Sequence, residues 1–285
     1  MVDTNDDSAF TKSAARSVYR FGPEGCRQAE DVVAVEEPLE IVLMHPGRDW
    51  KSLAVTMRTP GDDFDLARGF LFTEGIIHKP EDIVAMRFAR NQTEENTTGQ
   101  ALLVHLAPGA AARAAQVQPR LYMTSACGLC GKAALDQVQQ LPSFLVIPHR
   151  PLVSGELLVT LPEKLRQLQE AYQRTGGIHA CGLFDTSGHL LLVQEDVGRH
   201  NAMDKLVGGM LKRGLIPVRD YMLLFSGRLS FELVQKARMV GAPLLCAIGA
   251  PSSLAIELAE ECGMTLVGFL SKDRFNIYTG RERIM

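Results

Sequence analysis

The chain has no stretch approaching ~18 consecutive apolar residues, so it offers no membrane-spanning helix. It has no basic excess either. Its 30 Lys and Arg against 33 Asp and Glu leave a net charge of −3, with a pI near 6.2. That balance excludes bulk electrostatic binding of nucleic acid and leaves room only for a local basic pocket. The opening "MVDTNDDSAFTKSAARSVYRF" lacks an apolar signal core and predicts a frayed, cytoplasmic start. No disulfide framework is visible. Cys26, Cys127, Cys130, Cys181, Cys246 and Cys262 are scattered, which fits free thiols in a reducing cytoplasm. P-loop and G-x-G-x-x-G fingerprints are missing, as are internal repeats and low-complexity tracts.

What is present is an ordinary folded composition: 46% apolar and 22% charged residues over 285, enough for one large domain or two smaller ones. Four segments are expected: a flexible N-terminus (1–30), a β-rich part with one helix (31–120), a CxxC segment (121–145) and an α/β domain (146–285). In the second, "DVVAVEEPLEIVLMH", "SLAVTMRT" and "ALLVHLA" read as strands. Between them, "TPGDDFDLARGFLFTEGII" opens with a turn and repeats Leu66, Ala67, Phe70 and Leu71 at helical spacing, with Gly75 as its stop. "APGAAARAAQVQPR" reads as a linker or a weak, mobile segment, and residues from about 108 to 131 are expected to move more than the strands.

From Gly177 onward, strands and helices alternate. "GIHACGLFD" and "GHLLLVQEDV" form a hairpin, and "HNAMDKLVGGMLKRG" is a helix ended by Gly214. The strands "YMLLFSG", "PLLCAIG" and "MTLVGFL" then alternate with the helices "SFELVQKARMVG" and "SLAIELAEECG". Continuous apolar strands between amphipathic helices predict a layered α/β sheet covered on its faces, α+β overall once the β-rich part is counted. Two strand-to-helix turns, through Gly227 with Arg228 and through Gly249, could hold an anion, although ordinary capped helices would read the same way. Ser230, and Ser252 or Ser253, are the expected caps. Beyond the last of these strands, Ser271, Lys272, Asp273, Arg274 and Asn276 follow at once. A polar, basic cluster past a strand's carboxyl end suits a phosphate-rich ligand better than a core.

"TSACGLCGKAALDQV" carries the sharpest chemistry. Cys127 and Cys130 stand three apart at the start of a helix-like run, beside Lys132. Zinc needs three or four protein ligands, and neither a second CxxC nor an HxxxH exists. His179 and Cys181 could complete a site, but residues two apart share a strand face whatever their purpose. Small neighbours and the lysine favour an accessible thiolate of lowered pKa, which leaves redox exchange or sulfur carriage. A thioredoxin-like unit would place the CxxC just after its first strand, and this one lies mid-chain.

These motifs together resemble the family of formate dehydrogenase accessory proteins, which are sulfurtransferases. The resemblance runs through "TPGDDFDLARGFLFTEGII", "TSACGLCGK", "GGIHACGLFD", "EDVGRHNAMDK", "FSGRLSFELVQKA" and "FLSKDRFNIYTG", in that order. It implies that a cysteine desulfurase loads a persulfide onto the CxxC. The sulfur then passes to the molybdenum or tungsten of a bis(pterin guanine dinucleotide) cofactor destined for formate dehydrogenase. Carried over, Cys127 bears the persulfide, Cys130 is its neighbour, and Phe269, Leu270, Ser271, Lys272, Asp273 and Arg274 lie where the family binds the pterin dinucleotide. GDP is the expected analogue, with Arg228 a further phosphate contact, and a homodimer is expected. The larger domain is similar to the cytidine deaminase fold. That fold's H-x-E and P-C-x-x-C positions read "RHNA" and "SGRLS" here, so zinc-dependent deamination is not expected. A thiol–disulfide oxidoreductase and a cofactor chaperone with a structural CxxC are the alternatives. A persulfide adds about 32 Da and a disulfide removes about 2, which separates the first of these.

Overall fold

The computed structural model describes residues 2–3, 11–44, 51–89, 100–116 and 144–285. Chain order in the amino-terminal part is β1 (Val2–Asp3), β2 (Ser13–Gly22), β3 (Gly25–Ala34), β4 (Glu37–Met44), β5 (Lys51–Arg58), α1 (Asp63–Thr73), β6 (Ile83–Phe88), β7 (Gln100–Leu106) and α2 (Pro108–Gln116). The remainder runs α3 (Gly155–Leu158), α4 (Leu161–Gln167), α5 (Glu170–Thr175), β8 (His179–Asp185), β9 (Leu190–Asp196), α6 (Arg199–Lys212), β10 (Tyr221–Phe225), α7 (Phe231–Met239), β11 (Leu244–Ala247), α8 (Ser253–Glu261), β12 (Thr265–Gly268) and β13 (Asn276–Thr279). Three sheets result, in the orders β1-β6-β7-β4-β5, β13-β12-β11-β10-β8-β9 and β2-β3.

The second sheet is the layered α/β unit expected from the sequence. Its strands β10, β11 and β12 are parallel, while β8 and β9 form an antiparallel hairpin beside them. Alternate residues go to opposite faces. Leu223, Leu245 and Leu266 join one apolar cluster with α6, α7 and α8. Met222, Leu224, Leu244, Cys246 and Val267 join a second cluster, with Leu158, Leu161 and Leu165 from α3 and α4. A sheet buried on both sides needs an apolar residue at every position, which is why "YMLLF" and "LLCA" do not alternate with polar residues.

The amino-terminal sheet shares the first cluster. Leu39, Ile41, Leu71 and Leu102 pack in the same core as Met203, Leu206, Val207 and Met210. The seam is a crossing of α1 over α6. A Cβ on Gly69 would stand 1.8 Å from the Asp204 carbonyl oxygen, and one on Gly208 would stand 2.0 Å from that of Asp65. Only glycine permits that approach. Buried ion pairs fasten the seam. Lys236 Nζ lies 2.9 Å from both oxygens of Asp204 and donates to Thr73. Lys205 Nζ lies 2.8 Å from Asp196, whose carboxylate also accepts the Thr59 N–H and the Asn201 amide. Within the amino-terminal part, the buried Arg58 forks onto both oxygens of Asp63.

Two expectations need correction. Residues 13–34, partly assigned to a frayed start, form the β2–β3 hairpin, with ten residue pairs in register from Ser13–Ala34 to Gly22–Gly25. Its strands carry Arg, Ser, Gln and acidic residues among small ones and face water on most sides, so no apolar alternation betrayed it. The stretch from Ala107 begins as helix α2. Ala110, Ala111 and Ala114 are buried there, and Arg113 binds the Asp82 carboxylate and the Ile76 carbonyl. Alanines bury little area each, so the docked face carries a weak apolar signal. The expectations for the rest of that stretch, 117–131, lie outside the described residues.

Candidate functional site

Strands β10, β11 and β12 deliver their carboxyl ends to one edge of the sheet, and each continues through a glycine. The loops are stitched peptide to peptide. Gly249 N–H donates to Gly227 O (3.2 Å), Leu229 N–H to Ala250 O (3.1 Å) and Phe269 N–H to Gly249 O (3.1 Å). A Cβ on Gly249 would meet Gly227 O at 2.8 Å, and one on Gly227 would meet the His179 ring at 3.0 Å. Phe269 holds a left-handed φ of 53°, a strained conformation for a bulky residue, as its loop leaves β12.

A cavity of about 620 Å³ opens at this edge. Ser226, Ile248, Leu270, Ser271, Lys272 and His179 line it from the strand ends, and Val159, Pro162, Glu163, Arg166, Gln169 and Tyr172 line it from α3–α5 and their connections. A pocket of this size beyond strand carboxyl ends is where open α/β sheets bind small molecules.

The residues singled out in the sequence divide at this edge. Leu270, Ser271 and Lys272 line the cavity, although the Leu270 side chain is core. Phe269, Asp273, Arg274 and Arg228 stand outside its lining, and all four are exposed. Ser271 closes the turn: its hydroxyl donates to Asp273 at 2.7 Å and its N–H to Arg274 O at 2.9 Å. That hydroxyl, first among the causes, holds the Asp273 carboxyl below its usual range. The Gly249 turn is an ordinary capped helix start, with the Ser252 hydroxyl accepting from Ala255 N–H. At the Gly227 turn, Ser230 occupies the cap position without bonding the helix amides; its hydroxyl meets His200 Nε2 at 3.2 Å. Cys127 and Cys130 lie outside the described residues.

Burial at the same edge disfavours the charged form of two imidazoles. Burial pushes His200 down to about 4, with Arg199 and Lys236 adding to it and Glu232 opposing. Burial also lowers His179, seconded by Arg199. Burial alone would raise Glu232; the hydrogen bonds with Ser230 and with backbone N–H, together with the Arg199 guanidinium, carry it lower instead. The described residues contain no group of three or more His, Cys, Asp and Glu placed to hold a metal. Cys181 does not pair with His179 in a site. Its thiol is in the core, 3.8 Å from Met203 Sδ, and burial raises it well above the ordinary range.

Helices α3–α5 went unread in the sequence, yet they build half of the cavity. Their signals were local. Ser154 caps α3 by accepting from Leu157 N–H, Pro162 sits in the first turn of α4, and Gly176 ends α5 in the left-handed conformation. The "EDVGRHNAMDK" motif proves largely architectural. Glu195 accepts the N–H groups of Ala171 and Tyr172, holding α5 against the cavity, while Asp196, Asn201, Asp204 and Lys205 bind the seam.

The family model described as FdhD/NarQ matches residues 34–285. A sulfur carrier protein FdhD of Nocardia farcinica is 46% identical over 274 residues, covering 95% of both chains. One of Streptomyces avermitilis is 45% identical, covering 94% of both. A relative of the same name, from Sulfurisphaera tokodaii, is 40% identical and covers 94% of this chain and 97% of its own. Among solved structures, a putative formate dehydrogenase accessory protein from Desulfotalea psychrophila superposes with a TM-score of 0.70 over 96% of this chain and all of its own, at 24% identity, which speaks to the fold. A match that begins at the end of β3, runs to the last residue and takes in both large sheets apart from β1 leaves one assignment: the chain belongs to the FdhD/NarQ family.

Proposed function

We propose that this protein is a sulfur carrier that serves formate dehydrogenase. The observation that carries the reading is the near full-length identity to proteins named sulfur carriers. A cysteine desulfurase is the donor. The Cys127 thiolate attacks the outer sulfur of the donor's persulfide; a new S–S bond forms on Cys127, the donor's S–S bond breaks, and the donor leaves as a thiolate. Cys130, three residues on in sequence, relays that sulfur. The acceptor is the molybdenum or tungsten centre of a bis(pterin guanine dinucleotide) cofactor, which is the substrate of the transfer and not a resident group. Its nucleotide end is assigned to the cavity at the carboxyl edge of β10–β12, with Lys272 inside and Arg274 and Arg228 at the rim for phosphate. A homodimer in the cytoplasm is the working form.

Intact mass after incubation with a desulfurase and cysteine tests the loading step. The wild-type chain should gain about 32 Da and Cys127→Ala should not, and cells carrying Cys127→Ala should lack active formate dehydrogenase. Arg274→Ala should load normally and deliver poorly. An active dehydrogenase in the Cys127→Ala cells would reduce the protein to a chaperone.

A further inference from the structure

The β2–β3 ribbon takes no part in lining the cavity and stands outside both large sheets. All of it but Ala34 also precedes the family match. Ten residue pairs at ~3.3 Å per residue make it about 33 Å long. Its base is fixed: Ser13 is buried, Lys12 Nζ lies 3.0 Å from Asp62, and Val35 N–H donates to Lys12 O. Val18 and Ala29, a facing pair, are half-buried, and α5 touches both strands. Beyond that support, every residue from Tyr19 to Gln28 except Gly22 is exposed.

A two-stranded ribbon is marginally stable in water without a surface to lie on. The side chains of this one ask for such a surface. Tyr19 and Phe21 share a face and are 78% and 84% exposed, with Gln28 and Cys26 opposite them. On the other face Arg20 stands directly across from Arg27, a like-charge pair that is unfavourable by itself. Asp31 reaches Arg20 at 3.9 Å, while Arg16, Arg27, Glu24 and Glu30 form no ion pair among the described residues. Three arginines against Glu24, Glu30 and Asp31 leave the ribbon neutral, which suits neither a polyanion nor an anionic membrane. Free charges of both signs around an aromatic pair match a mixed protein surface. A carrier meets its donor and its acceptor in turn, so neither can cover the ribbon throughout. A second copy of the chain can.

We infer that β2–β3 is a dimer arm, laid with its aromatic face on the body of a second copy. The inference rests on the homodimer proposed above and adds the surface that forms it. Area decides the arrangement. With strands ~4.8 Å apart the ribbon is about 10 Å across, so one face offers roughly 330 Å². Two ribbons stacked face to face would bury only about 650 Å² in total, the scale of a lattice contact. Two arms, each covering an equal area of the other copy's body, bury about 1,300 Å², within the range of stable complexes. Reciprocal arms make the contact isologous, so assembly closes at two chains.

Sedimentation equilibrium on the full chain tests it. Wild type should run at twice its 31.3 kDa. Tyr19→Ser with Phe21→Ser removes both anchors and should weaken dimerisation by about a hundredfold or more, as expected for two aromatic anchors. Circular dichroism should show that variant folded. Hydrogen exchange on the unmodified chain gives a second reading: amides of residues 15–32 should slow as the dimer fills, while those of β10–β12 hold constant. A dimer of unchanged affinity after both substitutions, or exchange at 15–32 that ignores dimerisation, would overturn the arm and leave the homodimer standing. Wild type that stays monomeric at every concentration would sink both.

Discussion

His200 allows acid sensitivity to be worked out in advance. It opens α6 beside Arg199, Lys236 and Glu232, bonded to Ser230. Its folded pKa lies near 4 against about 6.5 in the unfolded chain. Between these values the unfolded state binds the proton and the folded state does not, so stability falls as pH falls. From pH 7 to pH 4 the drop from about 6.5 to about 4 amounts to about 3 kcal/mol, an upper figure for a side chain with partial solvent access. Most of the loss falls between pH 6 and pH 4, before buried carboxylates dominate. Urea unfolding of wild type and His200→Gln at pH 7, 6, 5 and 4 isolates the effect, because the other titrating groups are common to both chains. The two stability curves should diverge steadily toward acid, with the variant flatter. Parallel curves would refute the reasoning and mean that His200 stays protonatable in the folded protein, using Glu232 as its partner.

Two further outcomes follow from the seam. Gly208→Ala should destabilise the chain by about 3 kcal/mol or more, since the helices must separate and the overlap is with backbone; a denaturation midpoint unchanged from wild type would contradict the crossing. Asp196→Ala strips Lys205 of its buried counter-charge and leaves the Thr59 and Gly198 amides short of an acceptor, so a loss of about 3–5 kcal/mol is expected by chemical unfolding, and Lys205→Met in the same background should recover part of it.

The α/β half was readable because its strands are uninterrupted apolar runs and its helices close on Gly214, Gly241 and Gly263, each left-handed in the structure. Ser271 and Lys272, which line the cavity, stand out for a related reason, as the start of a polar cluster directly after a strand, whereas Leu270 entered only with the family resemblance. The other cavity wall was not found, because α3–α5 are four to seven residues long and carry their information in caps instead of in periodicity. Gln169 has no signature at all. A glutamine between two short helices looks like surface, and only three-dimensional burial distinguishes it. The architectural role of "EDVGRHNAMDK" was hidden for another reason. Its carboxylates and lysine have partners at Thr59, Thr73 and Lys236, far away in sequence, and nothing local announces them.

The glycine crossing of α1 and α6 also determines what can be cut. Residues 146–285 look like a self-contained α/β module on paper. Released from α1, however, they would present Met203, Leu206 and Met210 to water, and would keep Asp196, Lys205, Asp204 and Lys236 while losing their partners at Thr59, Thr73 and Glu74. The two sheets are therefore expected to melt as one cooperative unit, and a fragment carrying only the cavity is not expected to fold on its own. Heat, denaturant or a truncation that loosens the amino-terminal sheet is felt at the carboxyl edge of β10–β12 through that helix crossing and the Thr59 and Lys236 contacts beside it.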